Sequence, residues 1–247
     1  MFAKSSKAIL LSCAVIASSN VFVSAIASGN SPKPAMTSAE VEEMAGLDKA
    51  VKDSPKNPNV YIKRGLRKGD FGDLKGARAD LEKALKLDSN SSWAYLERGI
   101  VRKRSGDKEG ALADFNKSIE LDATDPIGYY NRGVVRHLMG MKQEALDDFN
   151  KCIELKGESS AAYCRRANVN DELGNLEAAL ADYNKAIELD PKDEWIYANR
   201  GLAYENSGNT EAALADYNKA LELSPDYEFA KKGVARVNAK KAAGAGK

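Results

Sequence analysis

The chain has 247 residues, 43% hydrophobic and 30% charged, with a formal net charge of +1 and a single histidine. That balance offers no global basic field to draw nucleic acid, and one histidine excludes most histidine-based metal sites and histidine-dependent triads. No P-loop, G-x-G-x-x-G, G-x-S-x-G or Cys-x-x-Cys occurs in it. The chain therefore reads as non-enzymatic, with no cofactor, no metal and no small-molecule substrate.

Residues 1–27 differ from the rest. Lys4 and Lys7 give a positive start, residues 8–27 carry no charge, and Ala25-Ile26-Ala27 offers a small-residue cleavage site. This is the layout of a secretory signal peptide, so the expectation is a protein exported to the periplasm or secreted after cleavage. The rival is an uncleaved anchor that makes the chain a membrane-tethered adaptor. Twenty uncharged residues would just span a bilayer, although Ser12, Ser18, Ser19, Asn20 and Ser24 dilute the stretch. Residues 28–36 read as a linker. A helix is expected over 37–57, opened by a capping box of Thr37 and Glu40.

From residue 58 the chain repeats every 34 residues, in units 58–91, 92–125, 126–159, 160–193 and 194–227. Each reads as two amphipathic helices joined at a glycine: Gly72, Gly106, Gly140, Gly174 and Gly208. A helix end that turns through positive φ takes glycine without steric cost. In the second helix Ala77, Ala111, Ala145, Ala179 and Ala213 recur. A large side chain follows four residues on (Leu81, Phe115, Phe149, Tyr183, Tyr217), and a small one three further (Ala84, Ser118, Cys152, Ala186, Ala220). Spacings of four and three share one helix face. In the first helix, Tyr61, Tyr95, Tyr129, Tyr163 and Tyr197 are followed three residues later by Arg64, Arg98, Arg132, Arg166 and Arg200. Next comes glycine at 65, 99, 133 and 201, with Ala167 in the fourth slot. Residues 228–241 read as a capping helix with Ala230, Val234 and Val237 inward, and residues 242–247 as a flexible tail.

This helix–turn–helix period and these residues resemble the tetratricopeptide repeat (TPR) family. The resemblance implies an all-α, right-handed α-solenoid of five units, with residues 37–57 as a preceding half-unit whose Leu47, Ala50 and Pro55 fall in the family's slots. It also implies that the arginine of each first helix meets an aspartate of the second: Arg64 with Asp80, Arg98 with Asp114, Arg132 with Asp148, Arg166 with Asp182 and Arg200 with Asp216. Such bridges, read as partly exposed, would contribute ~1 kcal/mol each and set register. The family's aromatic residue four places after the arginine is present only as Tyr204; Lys68, Arg102, Arg136 and Asn170 stand in the other units.

In this family the concave face is lined by the second, fifth, ninth, twelfth and thirteenth places of each unit. Carried over, these places give a peptide-binding groove of Trp93, Leu96, Ile100, Lys103, Arg104, Ile127, Tyr130, Val134, Leu138, Asp171, Trp195 and Leu202. Its middle is apolar, as binding surfaces tend to be, with Trp93, Tyr130 and Trp195 as aromatic anchors. Basic residues gather in the second unit and acidic ones in the fourth and fifth; residues 160–227 hold 13 acidic against 6 basic residues. The lysine that grips a terminal carboxylate in the chaperone-binding subclass is absent, since Ile62, Leu96, Tyr130, Cys164 and Ala198 occupy the fifth place. His137 reads as a solvated surface histidine. Whether Cys152 and Cys164 form a disulfide stays open.

The expected function is an exported scaffold that binds an extended or helical apolar segment of a protein or peptide partner. The alternative is a structural component that self-associates as a homo-oligomer.

Overall fold

The computed structural model describes residues 36–245. The segment read from the sequence as a signal peptide, and most of the expected linker, lie outside the described residues. By compactness the chain divides after Glu42. In the leading part, Thr37 N donates to the Glu40 carboxylate (2.7 Å) and Glu40 N to the Thr37 hydroxyl (3.3 Å). This reciprocal cap opens helix α1 (Ser38–Asp53).

The main part, from Glu43 on, is an all-α solenoid. Five helical pairs follow α1: α2 (Pro58–Asp70) with α3 (Leu74–Leu87), α4 (Ser92–Arg104) with α5 (Lys108–Leu121), α6 (Pro126–Leu138) with α7 (Lys142–Leu155), α8 (Ser160–Glu172) with α9 (Leu176–Leu189), and α10 (Glu194–Asn206) with α11 (Thr210–Leu223). Helix α12 (Glu228–Ala245) closes the array. Each second helix packs on its own first helix and on the next one, and successive first helices also touch.

Local chemistry sets these boundaries. Asn57, Ser91, Asp125, Ser159 and Asp193 precede the first helices, and each side chain accepts a hydrogen bond from a backbone N–H of the first turn. Gly72, Gly106, Gly140, Gly174 and Gly208 all take φ between 73° and 85°, which turns the chain into the second helix without a Cβ clash. The alanine and large-residue slots form the core: Ala77, Leu81, Ala111, Phe115, Ala145, Phe149, Ala179, Ala213 and Tyr217 have no exposed surface.

Close approach explains the glycine that follows four of the five arginines. A Cβ on Gly99 would stand 2.6 Å from the Phe115 ring. At the far end Gly233 of α12 does the same for Tyr217, whose ring atoms come within 2.4 Å of a Cβ built there. Ala230 and Val237 of α12 are fully buried against the last pair. The tail expected from residue 242 is helical as far as Ala245, consistent with the helix preference of its alanines.

Candidate functional site: the face of the first helices

The arginine–aspartate pairs fix how each first helix lies on its second. Arg98 Nη2 reaches Asp114 Oδ1 at 2.6 Å; Arg64–Asp80, Arg132–Asp148, Arg166–Asp182 and Arg200–Asp216 match it at 2.6, 2.7, 2.6 and 2.7 Å. The aspartates are not partly exposed, as the sequence reading had them. Their side chains keep only 3–9% of their surface while the arginines keep 16–23%, so each pair is a fork-shaped contact buried at its carboxylate end and partly open at its guanidinium. The residues that depart from the family aromatic reinforce three of the pairs: Lys68, Arg102 and Arg136 reach the same aspartates at 2.8, 2.9 and 2.7 Å. The arginines also contact the previous second helix, Arg132 through Asn116, Arg166 through Asn150 and Arg200 through Asn184. Arg64 meets Asp48 of α1 at the same sequence offset.

Anchored this way, the first helices present a row of side chains. Trp93 is 38% and Leu138 55% exposed. Ile100, Ile127, Tyr130, Trp195 and Leu202 are half-buried. Tyr130 rests on Phe149, with ring centroids 6.1 Å apart. Arg165 lies over the Trp195 ring at 4.6 Å. Arg104 is exposed, and Lys103 and Asp171 are half-buried.

Two residues expected in the groove belong to the core. Leu96 packs with Ala111, Phe115 and Val135, and Val134 with Ala145, Phe149 and Val169. Of the other fifth-place side chains, Ile62, Cys164 and Ala198 are fully buried as well, while Tyr130 alone stays half-buried. His137 is not simply solvated either. Its Nε2 meets Glu172 at 2.9 Å, beside Lys142 at 3.0 Å. Cys152 and Cys164 are buried free thiols, not a disulfide.

Sequence reasoning missed the sixth place, whose residues stand four after the second place and three before the ninth and so share its stripe. Glu97 accepts from Trp93 Nε1 at 3.1 Å. Burial, only partly offset by that bond and assisted by Asp70 and Asp125, pushes its carboxyl up to about 7. Asn131 is buried, donates to the Ile127 carbonyl at 3.0 Å, and accepts from Lys103 Nζ at 2.7 Å. Burial, with Arg165 and Arg104 nearby, lowers the Lys103 ammonium to about 8.

Charged side chains further along are paired with neighbouring helices. Asn206 donates to Asp171 at 3.2 Å. Buried Glu205 gathers Arg236, Lys240 and Tyr217 within 2.9–3.0 Å. Lys103, Arg104 and Arg165 differ: among the described residues none has a carboxylate within ion-pair distance. Also among the described residues, no group of histidine, cysteine and carboxylate side chains is arranged to hold a metal, and no helix is long and apolar enough to cross a membrane.

Family models agree with this geometry. One for the TPR repeat matches residues 101–140 and 171–208, and one for the tetratricopeptide repeat matches 126–158 and 195–227. Among curated proteins none matches the chain. Several solved structures do. YrrB, a TPR protein described as having an unusual peptide-binding site, is 26% identical, with a TM-score of 0.60 over 79% of this chain and 97% of its own. MamA is 30% identical, with a TM-score of 0.59 over 69% of this chain and 95% of its own. TTC0263 of Thermus thermophilus, a thermophilic TPR protein, is 19% identical, with a TM-score of 0.62 over 74% and 99%, and shares the fold. The chain belongs to the tetratricopeptide repeat family, whose helical hairpins serve as scaffolds for protein–protein interaction.

Proposed function

We propose that this protein is an exported, non-enzymatic scaffold that takes an apolar segment of a partner protein onto the face of its first helices. One observation carries the reading: Trp93, Ile100, Tyr130, Leu138, Trp195 and Leu202 remain partly or largely exposed on the first helices α4, α6 and α10, while the alanine and large-residue slots beneath are sealed. Apolar side chains in a row, not scattered singly, mark a docking surface, and tryptophan and tyrosine are the residues that dominate such contacts. The description of the related YrrB structure as having a peptide-binding site supports the same reading. Export rests on the charge and hydropathy pattern of residues 1–27.

The test is a double variant, Trp93→Ala with Tyr130→Ala. Trp93 is exposed and Tyr130 half-buried, so the variant should keep native helicity. A partner recovered by crosslinking in the native compartment should no longer bind it. Undiminished binding by the folded variant refutes the reading.

A further inference from the structure

The third hairpin turn, between α6 and α7, differs from the other four. The thirteenth place of a unit is polar elsewhere (Asp70, Arg104, Glu172, Asn206) but holds Leu138 here. The sixteenth place, which caps each second helix, holds Asp73, Asp107, Asn175 and Asn209 elsewhere but Met141 here. Asp73, Asp107 and Asn209 each accept a backbone N–H from the turn that follows, and Met141 makes no such bond. A missing cap costs about 1 kcal/mol, so this turn gives up stability for an apolar side chain.

Leu173, at the fourteenth place of the next unit, is exposed as Leu138 is. The turns are tied to one another, which holds these side chains in place. Lys108 Nζ donates to the Leu138 carbonyl at 3.1 Å, and Lys142 Nζ to the Glu172 carbonyl at 3.3 Å. Neighbouring exposed apolar side chains mark a contact surface, and local rules are broken where function asks for it.

The charges on either side of this patch identify what covers it. On the side of the second turn stand Arg104 and Lys108, and among the described residues neither has a carboxylate within ion-pair distance. On the side of the fourth turn stand Asp171 and Glu177, and among the described residues neither has a cation within that distance. Residues 137–143 carry one lysine and no carboxylate, whereas 171–177 carry three carboxylates and no cation. An object that runs antiparallel along the edge, with the same polarity reversed, satisfies both ends at once.

We propose that the edge formed by the third and fourth hairpin turns is a self-association surface, on which a second copy of this chain docks about a two-fold axis. The axis crosses the solenoid between the two turns, so the third turn of each copy lies on the fourth turn of the other. Leu138 then meets Leu173, and the basic side of each copy meets the acidic side of its mate, as a self-complementary patch requires. Leu138 ends the docking row described above, but Met141 and Leu173 stand outside it, and the contact does not depend on that row. A pair of copies presents two docking faces, so a partner with two apolar segments gains by binding both.

The experiment is sedimentation velocity over a range of concentrations on the chain in its processed form, which should show a monomer–dimer equilibrium. Met141→Asp supplies the missing cap. It should raise the melting temperature yet weaken the dimer at least about 30-fold, since a two-fold contact takes each substitution twice. Leu173→Gln should also loosen the dimer, and it decides alone if Met141→Asp lowers the melting temperature instead. Gln143 holds in the third unit the place of Glu177 in the fourth, so it faces Glu177 of the second copy. Gln143→Lys should tighten the dimer about 5-fold, a gain lost at high salt, and Gln143→Glu should loosen it. The proposal is overturned by a native chain that stays monomeric at every concentration, by a dimer indifferent to Met141→Asp and Leu173→Gln, or by Gln143→Lys loosening the contact. It is overturned too if Trp93→Ala with Tyr130→Ala dissolves the dimer, because the copies would then meet through the docking face. None of these outcomes decides whether a partner segment binds that face, which the crosslinked partner tests separately.

Discussion

Arg98 and Asp114 are joined by two parallel hydrogen bonds, Nε to Oδ2 at 2.9 Å and Nη2 to Oδ1 at 2.6 Å, and Arg102 reaches the same carboxylate at 2.9 Å. The aspartate is buried, so removing it strands two cations against the seam between α4 and α5. Asp114→Ala should cost about 3 kcal/mol, read from urea unfolding. Asp182→Ala should cost less, because the eleventh place of that unit is Asn170 and one cation, not two, loses its partner.

The glycine after Arg98 makes a second test. Gly99→Ala places a methyl 2.6 Å from the Phe115 ring, and that ring is itself fully buried. Overpacking of this kind costs roughly 1–3 kcal/mol. Gly233→Ala meets Tyr217 more closely still and should lift the capping helix, seen as increased amide exchange over α12. A glycine on open surface such as Gly46, which has nothing near its would-be Cβ, should gain slightly from the same change.

Acid should release the same cap. Burial opposes ionisation of Glu205, but Arg236, Lys240 and Tyr217 hydrogen-bond the carboxylate and bring it down to about 2, from an ordinary value of 4.5. A carboxyl with a lowered pKa in the fold contributes stability above the unfolded value. That contribution is lost as pH falls from about 4.5 to about 2. Glu205→Gln should be less stable than the native chain at pH 7, by ~1 kcal/mol because Arg236 and Lys240 are exposed enough to return to water, with the difference shrinking across that window. A difference independent of pH would contradict the assignment.

The two thiols should be silent in the folded chain. Burial pushes the Cys152 thiol up to about 12 and Cys164 well above its ordinary value. The thiolate is the reactive form, so Ellman's reagent should titrate neither residue until denaturant is added, and both should then react. Rapid labelling of Cys152 or Cys164, read in a chain whose third cysteine, Cys13, is replaced by serine, would contradict this burial.

The hairpins were legible because repetition multiplies weak signals. A single Gly or Ala is ambiguous, but Gly72 through Gly208 and Ala77 through Ala213 at one period leave little choice of fold. The face of the first helices was less legible. Leu96 and Val134 share a helix with Trp93 and Tyr130, and only the tilt of each helix between its neighbours turns them into the core. The second cation on Asp80, Asp114 and Asp148 was hidden for a related reason: Lys68, Arg102 and Arg136 were departures from the family aromatic, and their partners lie in a different helix. Asn131, Arg165 and Glu97 stood at a place outside the borrowed groove pattern, though their spacing from Ile127, Trp93 and Ile100 would have found them.

The central claim is that partner segments dock on the first helices. A display-selected peptide carrying a benzophenone at a central position should crosslink to residues of α4, α6 and α10, with Trp93, Ile100, Tyr130 and Trp195 foremost among the modified sites found by mass spectrometry. Crosslinks confined to second-helix positions such as Asn116, Asn150 and Asn184, or to α12, would contradict it.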